Sequence, residues 1–446
     1  MIQKERIDFI QKLPYELSFN IFSYLSHIEI LVCMLVCKRW YSVATHPLVW
    51  KQLYKHQQWK VNYERIGHCE EWAQKEMQRL RDWVMQHPQQ CSLEQMFKQT
   101  LPADSMFRPP HITFLSNTEL VLNWRFLYLQ RYRLLKNWEK GAYVCYTVPR
   151  TLTLEYDEMH EDGIYCIEFN RNWIVSGSKD TTIRIWDLQK GICHKVFRGH
   201  RASVLTLQFD VNMNILVSGS SDTLVIIWNL SSGKILSIYK GHTDSVLSLC
   251  FDTKHIVTCS KDSTIRIWHH VDHVKEGKRH YVHVLRGHHA AVNAVQLKED
   301  RIVSASGDRT IRIWNVYTGV CLRTIMCHQR GIACLQFDGK HIVSGSSDHL
   351  VRLFDANSGQ VLRTFEGHLD LVRTVQYHSH KIISGSYDEN ICIWDLFSGK
   401  LLHQIKSKDT GRIYRIAFDD IRIISCGQKK HIIVYDFGHN IDTTFF

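Results

Sequence analysis

The stretch IVSGSKDTTIRIWD (residues 174–187) returns, reworked, as LVSGSSDTLVIIWN (216–229), IVTCSKDSTIRIWH (256–269) and IVSASGDRTIRIWN (302–315). Aligning the copies puts Asp180, Asp222, Asp262, Asp308, Asp348 and Asp388 in register, at steps of 42, 40, 46, 40 and 40 residues. Six residues beyond each aspartate stands an aromatic side chain: Trp186, Trp228, Trp268, Trp314, Phe354 or Trp394. Upstream come His200, His242, His288 and His368, each after a glycine, and His160 and His328 in the same place without one. A seventh copy, IISCGQKKHIIVYD (423–436), keeps the shape but has Lys429 for the aspartate and Tyr435 for the tryptophan.

Serine, histidine and aspartate in each copy raise the question of nucleophilic catalysis. The repetition argues against it, because an enzyme needs one activated serine and not a ring of equivalent ones. A buried histidine that bridges a turn aspartate and a strand serine or threonine satisfies polar groups where repeats meet. The aspartate in its turn can bind neighbouring amides. A period of about 40 residues with Gly-His and Trp-Asp marks is the signature of a WD-repeat β-propeller, four strands to a blade. Seven blades are predicted. AYVCYTVPRTLTLEY (142–156) precedes the first blade with strand-like composition, and little chain follows Tyr435. That segment is expected to supply the outer strand of the last blade and so remove a free edge.

The 446 residues carry a formal charge of +11, with 44% apolar and 22% charged side chains. This composition reads as soluble and globular, with an anionic partner suggested by the charge. No apolar run reaches the ~18 residues of a membrane span, and MIQKERIDFIQKLP lacks the marks of a secretory signal. Fourteen cysteines without paired CxxC spacing imply reduced thiols in the cytoplasm or nucleus. Cys33 and Cys37 read as buried thiols in a helix. The histidine-rich segment 269–288 has no cysteine and no standard ligand spacing, so it reads as a blade connection. Neither metal nor cofactor is expected.

Before the repeats, LPYELSFNIFSYLSHIEILVCMLVCKRWYSVATHPLVWKQLY (13–54) places Leu17, Ile21, Phe22, Leu25, Leu31, Met34 and Leu35 at helical intervals. About forty residues cannot enclose so many large apolar side chains, so part of that surface must pack on something else. Leu13-Pro14, Glu16-Leu17, IFSYL, VCKRWY and Pro47-Leu48 with Trp50 make this stretch resemble an F-box, the module that docks on the Skp-type adaptor of SCF ubiquitin ligases. The resemblance implies adaptor-facing residues Leu13, Pro14, Leu17, Ile21, Leu25, Leu31, Val36 and Trp40. Residues 55–86 read as a charged helix. Four of the seven prolines fall between Pro88 and Pro110 and predict an irregular loop. A second helix is predicted over 118–138, with Arg125, Arg131 and Arg133 on a solvated face. The expected fold class is α + all-β: an F-box over 1–54, a helical linker over 55–141, and a seven-bladed WD-repeat β-propeller over 142–446.

An F-box joined to WD repeats resembles the substrate receptors of SCF ligases. GIYCIEF, VTCSKD, AAVNAVQL, RGIACLQFD, HIVSGSSD and LVRTVQY are most similar to the beta-transducin-repeat-containing (beta-TrCP) type. That resemblance implies a non-catalytic subunit binding a peptide of pattern Asp-pSer-Gly-apolar-x-pSer across the channel. It assigns Tyr165, Arg373 and Tyr387 to the leading aspartate, with Arg412 as a further central arginine. Ser203 and Ser221 match groups at the first phosphate, where Lys179 replaces the family's arginine and loses its bidentate fork. Arg330, Gly331 and Ser347 match the second phosphate's site, while Asn293 and Leu371 line the channel. The implied partners are a Skp-type adaptor, a cullin/RING core and doubly phosphorylated substrates, with neither nucleic acid nor membrane. Twelve residues before the F-box leave no room in this sequence for the family's upstream dimerisation segment. A WD-repeat signalling scaffold, or a receptor for a different phosphodegron, are the competing readings.

Overall fold

Each repeat closes into a four-stranded antiparallel sheet. In the first, strands Ile164–Phe169, Trp173–Ser178, Ile183–Asp187 and Cys193–Phe197 pair in chain order. The second strand is buried beyond its first residue, since neighbouring blades cover both its faces. Its sequence is therefore apolar or small throughout, with no polar alternation. The outer strands face solvent: in Val361–Phe365 only the last residue is buried. The Ser-Gly-Ser of the second strand serves close approach between blades. A Cβ on Gly177 would lie 2.7 Å from both Val204 and Cys166, and one on Gly345 would lie 2.6 Å from Val372.

The computed structural model describes residues 8–86, 97, 107, 110–116, 119–150, 159–269, 281–378, 380–407 and 410–446. The chain divides into a ring unit, Tyr143–Asp436, and a helical unit made of the N-terminal part together with Phe437–Phe446. Seven four-stranded sheets form the ring, six from continuous chain. The seventh combines Ile413–Phe418, Arg422–Gly427 and Ile432–Asp436 with Val144–Val148, in the register Val144↔Asp436 to Val148↔Ile432. Residues from before the first blade thus provide the last blade's outer strand; 151–158 lie outside the described residues. Val148 is buried with Ile432 and Val434 of its own blade and Ile164 and Trp186 of the next, so the closing strand joins the apolar seam between them.

Six blades carry the same buried polar chain. Histidine Nδ1 lies 2.7 to 2.9 Å from the turn aspartate, for instance His160 to Asp180 and His288 to Asp308. Nε2 lies 2.8 to 2.9 Å from the hydroxyl of Ser176, Ser218, Thr258, Ser304, Ser344 or Ser384. In the five blades with tryptophan, the indole N–H donates to that same hydroxyl at 2.7 to 2.9 Å. The aspartate also accepts amides on both sides of its turn, from Glu161 and Thr182 in the first blade. The residue after it adopts positive φ in all six, from 64° at Ser263 to 72° at Thr181 and Arg309. Each serine is buried with both its proton and its lone pairs engaged, so none is a free nucleophile. In the seventh blade Tyr435 donates to Ser407 at 2.9 Å, and Ser407 bonds Thr410 at 2.6 Å. A tyrosine–serine–threonine chain thus stands where the histidine and aspartate are missing.

The helical unit holds short helices Phe9–Lys12, Tyr15–Ser23, His27–Cys33, Lys38–Thr45 and Pro47–His56, then the long helix Tyr63–Gln86. Ser26 and Glu29 form a capping box at the start of the third. Phe22, Ile30, Val43 and Trp50 are fully buried and belong to one core with Leu127 and Tyr128. The helix expected over 118–138 begins later. Glu119–Leu122 pairs with Ile112–Ser116 as a hairpin strand, burying Leu120 and Leu122 on one face. Asn123 then caps the helix Trp124–Lys140, accepting from the Phe126 amide at 3.1 Å, and Gly141 ends it at φ 65°. The solvated basic face needs correction as well: Arg131 is buried, its guanidinium 5.2 Å from the Phe446 ring. The tail that covers it was assigned to the propeller from sequence. It packs in the helical unit because Phe437 stacks on Trp138 at 3.8 Å and Phe445 is buried. Of the proline-rich segment only Phe97, Phe107 and Pro110 are described, and 270–280 of the histidine-rich connection lie outside the described residues.

Ser304 holds both a histidine and an indole, whereas Ser344 faces Phe354, which has no N–H. Ser304→Ala is expected to leave two buried groups unpaired and cost about 2–4 kcal/mol. Ser344→Ala leaves one and should cost about half as much; chemical denaturation of both variants checks the ordering. Acidification should also unfold the ring. Burial holds His160, His288 and His328 below the usual 6.5, partly offset by their aspartates. Burial opposes ionisation of Asp222, Asp348 and Asp388, but bonds from histidine and backbone outweigh it and keep them below 3.8. Unfolding then takes up protons, on histidines from just below pH 6.5 and on carboxylates below about 4. The melting temperature should fall from pH 7 to pH 4, and a rise on acidification would contradict this assignment.

Candidate functional site

One end of the ring is built from three positions that recur in every blade. The first lies in the inner strand, where register slips by one residue and leaves a bulge. The bulged residues are Tyr165, Leu205, Leu247, Asn293, Ala333, Arg373 and Tyr414. All seven line one central cavity, together with Arg415. The slip turns a side chain that would otherwise enter the sandwich of blades toward the channel.

The second and third positions are joined by a backbone bond across the blade. The amide of the residue before each turn aspartate donates to the carbonyl of the residue before the inner strand. Lys179 reaches Gly163 at 3.0 Å, Ser221 reaches Ser203 at 2.9 Å and Ser347 reaches Gly331 at 3.0 Å. Tyr387 reaches Leu371 at 3.0 Å, and Gln428 reaches Arg412 at 3.1 Å. Eleven of the twelve sequence-predicted channel residues occupy one of these three positions. The twelfth, Arg330, immediately precedes Gly331. All twelve therefore lie at the same end of the ring, on six of its blades.

Their surroundings differ. Tyr165 stacks on Tyr414 with centroids 5.1 Å apart and planes at 18°, and Tyr387 meets Tyr414 edge-on at 5.9 Å. The Arg412 guanidinium sits 5.4 Å over the Tyr387 ring. Asn293 donates to the Ile332 carbonyl at 2.7 Å, and Arg373 approaches the Ala333 carbonyl at 3.5 Å. These bonds bridge adjacent blades and fix the side chains. Arg330 is exposed, with no side-chain partner among the described residues. Lys179 donates to Asp162 at 2.9 Å, and Lys261 and Asp244 repeat that pair in the third blade at 3.7 Å.

Sequence reasoning passed over Tyr414, Arg415 and Glu168. Tyr414 was within reach, because RIYRI aligns with GIYCI and puts it in Tyr165's place. Burial raises its hydroxyl, with Tyr165 and Tyr387 adding to the shift. Burial also raises Glu168 to about 7, opposed by the nearby Arg415. Among the described residues no group of histidine, cysteine, aspartate or glutamate is placed to hold a metal ion.

The helical unit presents a separate surface. Leu17, Ile21, Leu31 and Val36 are exposed at 49%, 40%, 36% and 57%, with Pro14 exposed and Leu13 half-buried. Leu25 and Trp40 turn inward against the core, Trp40 bonded to Asp8 at 2.9 Å and edge-on to Phe22. Tyr24, Ile28, Val32 and Leu35, not assigned from sequence, are more exposed, at 83%, 60%, 59% and 84%. An unbroken apolar area of this kind is more than scattered surface residues provide.

Comparison with known families matches an F-box-like model to residues 10–56. A model described as WD domain, G-beta repeat, matches 151–187, 191–229, 233–269, 279–315, 319–355 and 359–395, together about half of the chain. The seventh blade, with its altered marks and borrowed strand, falls outside those matches. Among similar proteins are one named as the E3 ubiquitin ligase complex SCF subunit sconB of Arthroderma benhamiae, 27% identical, and an F-box protein of Saccharomyces cerevisiae, 28% identical. Each alignment covers 42% of this chain and 24% of the relative, so the match spans about a quarter of those relatives' length. The crystal structure of the computationally designed Ika8 protein is also similar, with TM-score 0.53 and 28% identity over 62% of this chain and 84% of that one. Taken with the seven-bladed ring and the helical module ahead of it, these matches mean that the chain belongs to the WD-repeat family and carries an F-box-like module at its N-terminal side.

Proposed function

We propose that this protein is the substrate-recognition subunit of an SCF-type ubiquitin ligase, and that its channel end binds phosphorylated peptides of the Asp-pSer-Gly-apolar-x-pSer type. The observation that carries the proposal is the gathering of Arg330, Arg373 and Arg412, from three blades, with Tyr165, Tyr387, Ser203, Ser221 and Ser347 at one end of the ring. A phosphoserine brings a charge of about −1.5 to −2 and three acceptor oxygens. Guanidinium groups on separate rigid blades meet such oxygens with charge-assisted bonds and little ordering cost. The sconB relative bears an SCF subunit name, which supports the ubiquitin half of the proposal.

The protein itself does no covalent chemistry in this role. The exposed apolar surface of Leu17, Ile21, Leu31 and Val36 docks the Skp-type adaptor, which brings a cullin/RING core. Bound substrate is then held near a ubiquitin-charged enzyme, and the gain is one of proximity.

Two outcomes test this. Arg330→Ala and Arg373→Ala should each weaken binding of the doubly phosphorylated peptide by about 2–5 kcal/mol, about 30-fold or more, in fluorescence polarisation. Parental affinity in Arg373→Ala would remove the assignment. Leu17→Ala combined with Leu31→Ala should abolish capture of purified Skp-type adaptor while leaving the melting temperature unchanged, since both side chains are already solvated. Undiminished capture would remove the adaptor claim.

A further inference from the structure

The charges at the channel end are not evenly distributed around the ring. At the position two before the inner strand the blades carry Asp162, Ala202, Asp244, Ala290, Arg330, Asp370 and Gly411 in turn; before the turn aspartate they carry Lys179, Ser221, Lys261, Gly307, Ser347, Tyr387 and Gln428. Blades one and three therefore neutralise themselves through Lys179–Asp162 and Lys261–Asp244. The opposite arc does not. Arg330 is exposed without a described side-chain partner, and Arg373 and Arg412 make only carbonyl and aromatic contacts in the items of geometry given above. Blade seven adds Lys430, exposed where the other blades have the left-handed turn residue.

We infer that Asp162 is a specificity-determining residue: by pairing with Lys179 it cancels the cation at the first phosphate position, so that recognition rests on the second phosphate and the leading aspartate. This inference rests on the phosphopeptide reading above. An exposed ion pair is weak and a phosphate can break it. Breaking it leaves the Asp162 carboxylate beside the incoming dianion, however, and like charges at close range repel. Lys179 also lacks a guanidinium fork with which to hold Asp162 and phosphate together. Ser203 and Ser221 remain as neutral partners, sufficient for an unmodified serine. Asp162 is held ionised by Lys179 and the Gly163 amide, with Lys430 adding to the effect, so its charge persists at neutral pH.

The test is fluorescence polarisation with four synthetic peptides of one sequence: doubly phosphorylated, phosphorylated at the first serine only, at the second only, and unphosphorylated. For the parent, the second-only peptide should bind within about tenfold of the doubly phosphorylated one, and the first-only peptide no better than the unphosphorylated one. Asp162→Asn should tighten the first-only peptide about fivefold, the size of one exposed ion pair, and leave the second-only peptide unchanged. Arg330→Ala should abolish the preference for the second-only peptide and leave the first-only peptide unaffected. First-only binding equal to second-only binding in the parent, or no gain in a folded Asp162→Asn protein, overturns the inference while the phosphopeptide reading stands. Equal affinity for all four peptides overturns both.

Discussion

The buried chain from tryptophan through serine and histidine to aspartate is the constraint on which the ring depends. Each link joins a different part of a blade: the indole from the third strand, the hydroxyl from the second, the histidine from the segment before the first, the carboxylate from the turn between second and third. Breaking any link strands a polar group where water cannot reach it. The chain therefore sets the path of two loops at once, and those loops carry the channel-end residues. Lys179, Ser221, Ser347 and Tyr387 each sit one residue before such an aspartate. Ser203, Gly331 and Leu371 each follow a chain histidine by three residues. Structure and recognition surface are adjacent positions in the same repeat.

That arrangement explains how a ring of near-identical blades can present a different side chain at each place on its rim. The backbone bond between the residue before the aspartate and the residue before the inner strand recurs whatever the side chains are. Side chains at these sites are free to vary because no link of the buried chain passes through them. The bulge does the same for the channel wall, where Tyr165, Asn293, Arg373 and Tyr414 take equivalent places with different chemistry. The blade without histidine and aspartate shows the same economy: Tyr435, Ser407 and Thr410 supply the polar links, and its turn is left to Gln428, Lys429 and Lys430.

The helical unit solves a different problem. Its five short helices bury Phe22, Ile30, Val43 and Trp50 in a core that also uses the later helix Trp124–Lys140 and Phe445 of the chain's end. With those residues inside, Leu17, Ile28, Val32 and Leu35 are left outside, and their exposure is the cost of a module that keeps an apolar face for a partner.

The sequence by itself determined the repeat, the number of blades, the histidine–aspartate–serine pairing and the strand borrowed to close the ring. These follow from local patterns that recur at fixed spacing, and the same spacing recurs in the same backbone geometry. It also brought out Tyr165, Asn293 and Arg373, because each occupies one register position. Only the tertiary structure decided what depends on neighbours distant in sequence. The stacking of Tyr165 on Tyr414 joins the first blade to the last, and no local pattern reports it. Lys179 reads as a free cation until Asp162, seventeen residues earlier, is seen beside it. Leu25 and Trp40 look like surface positions of a helix, yet packing draws them inward, and Arg131 is covered by a tail that the repeat pattern had left with the ring. In each case the deciding contact crosses a seam between elements, where periodicity carries no information about which side chain lies opposite.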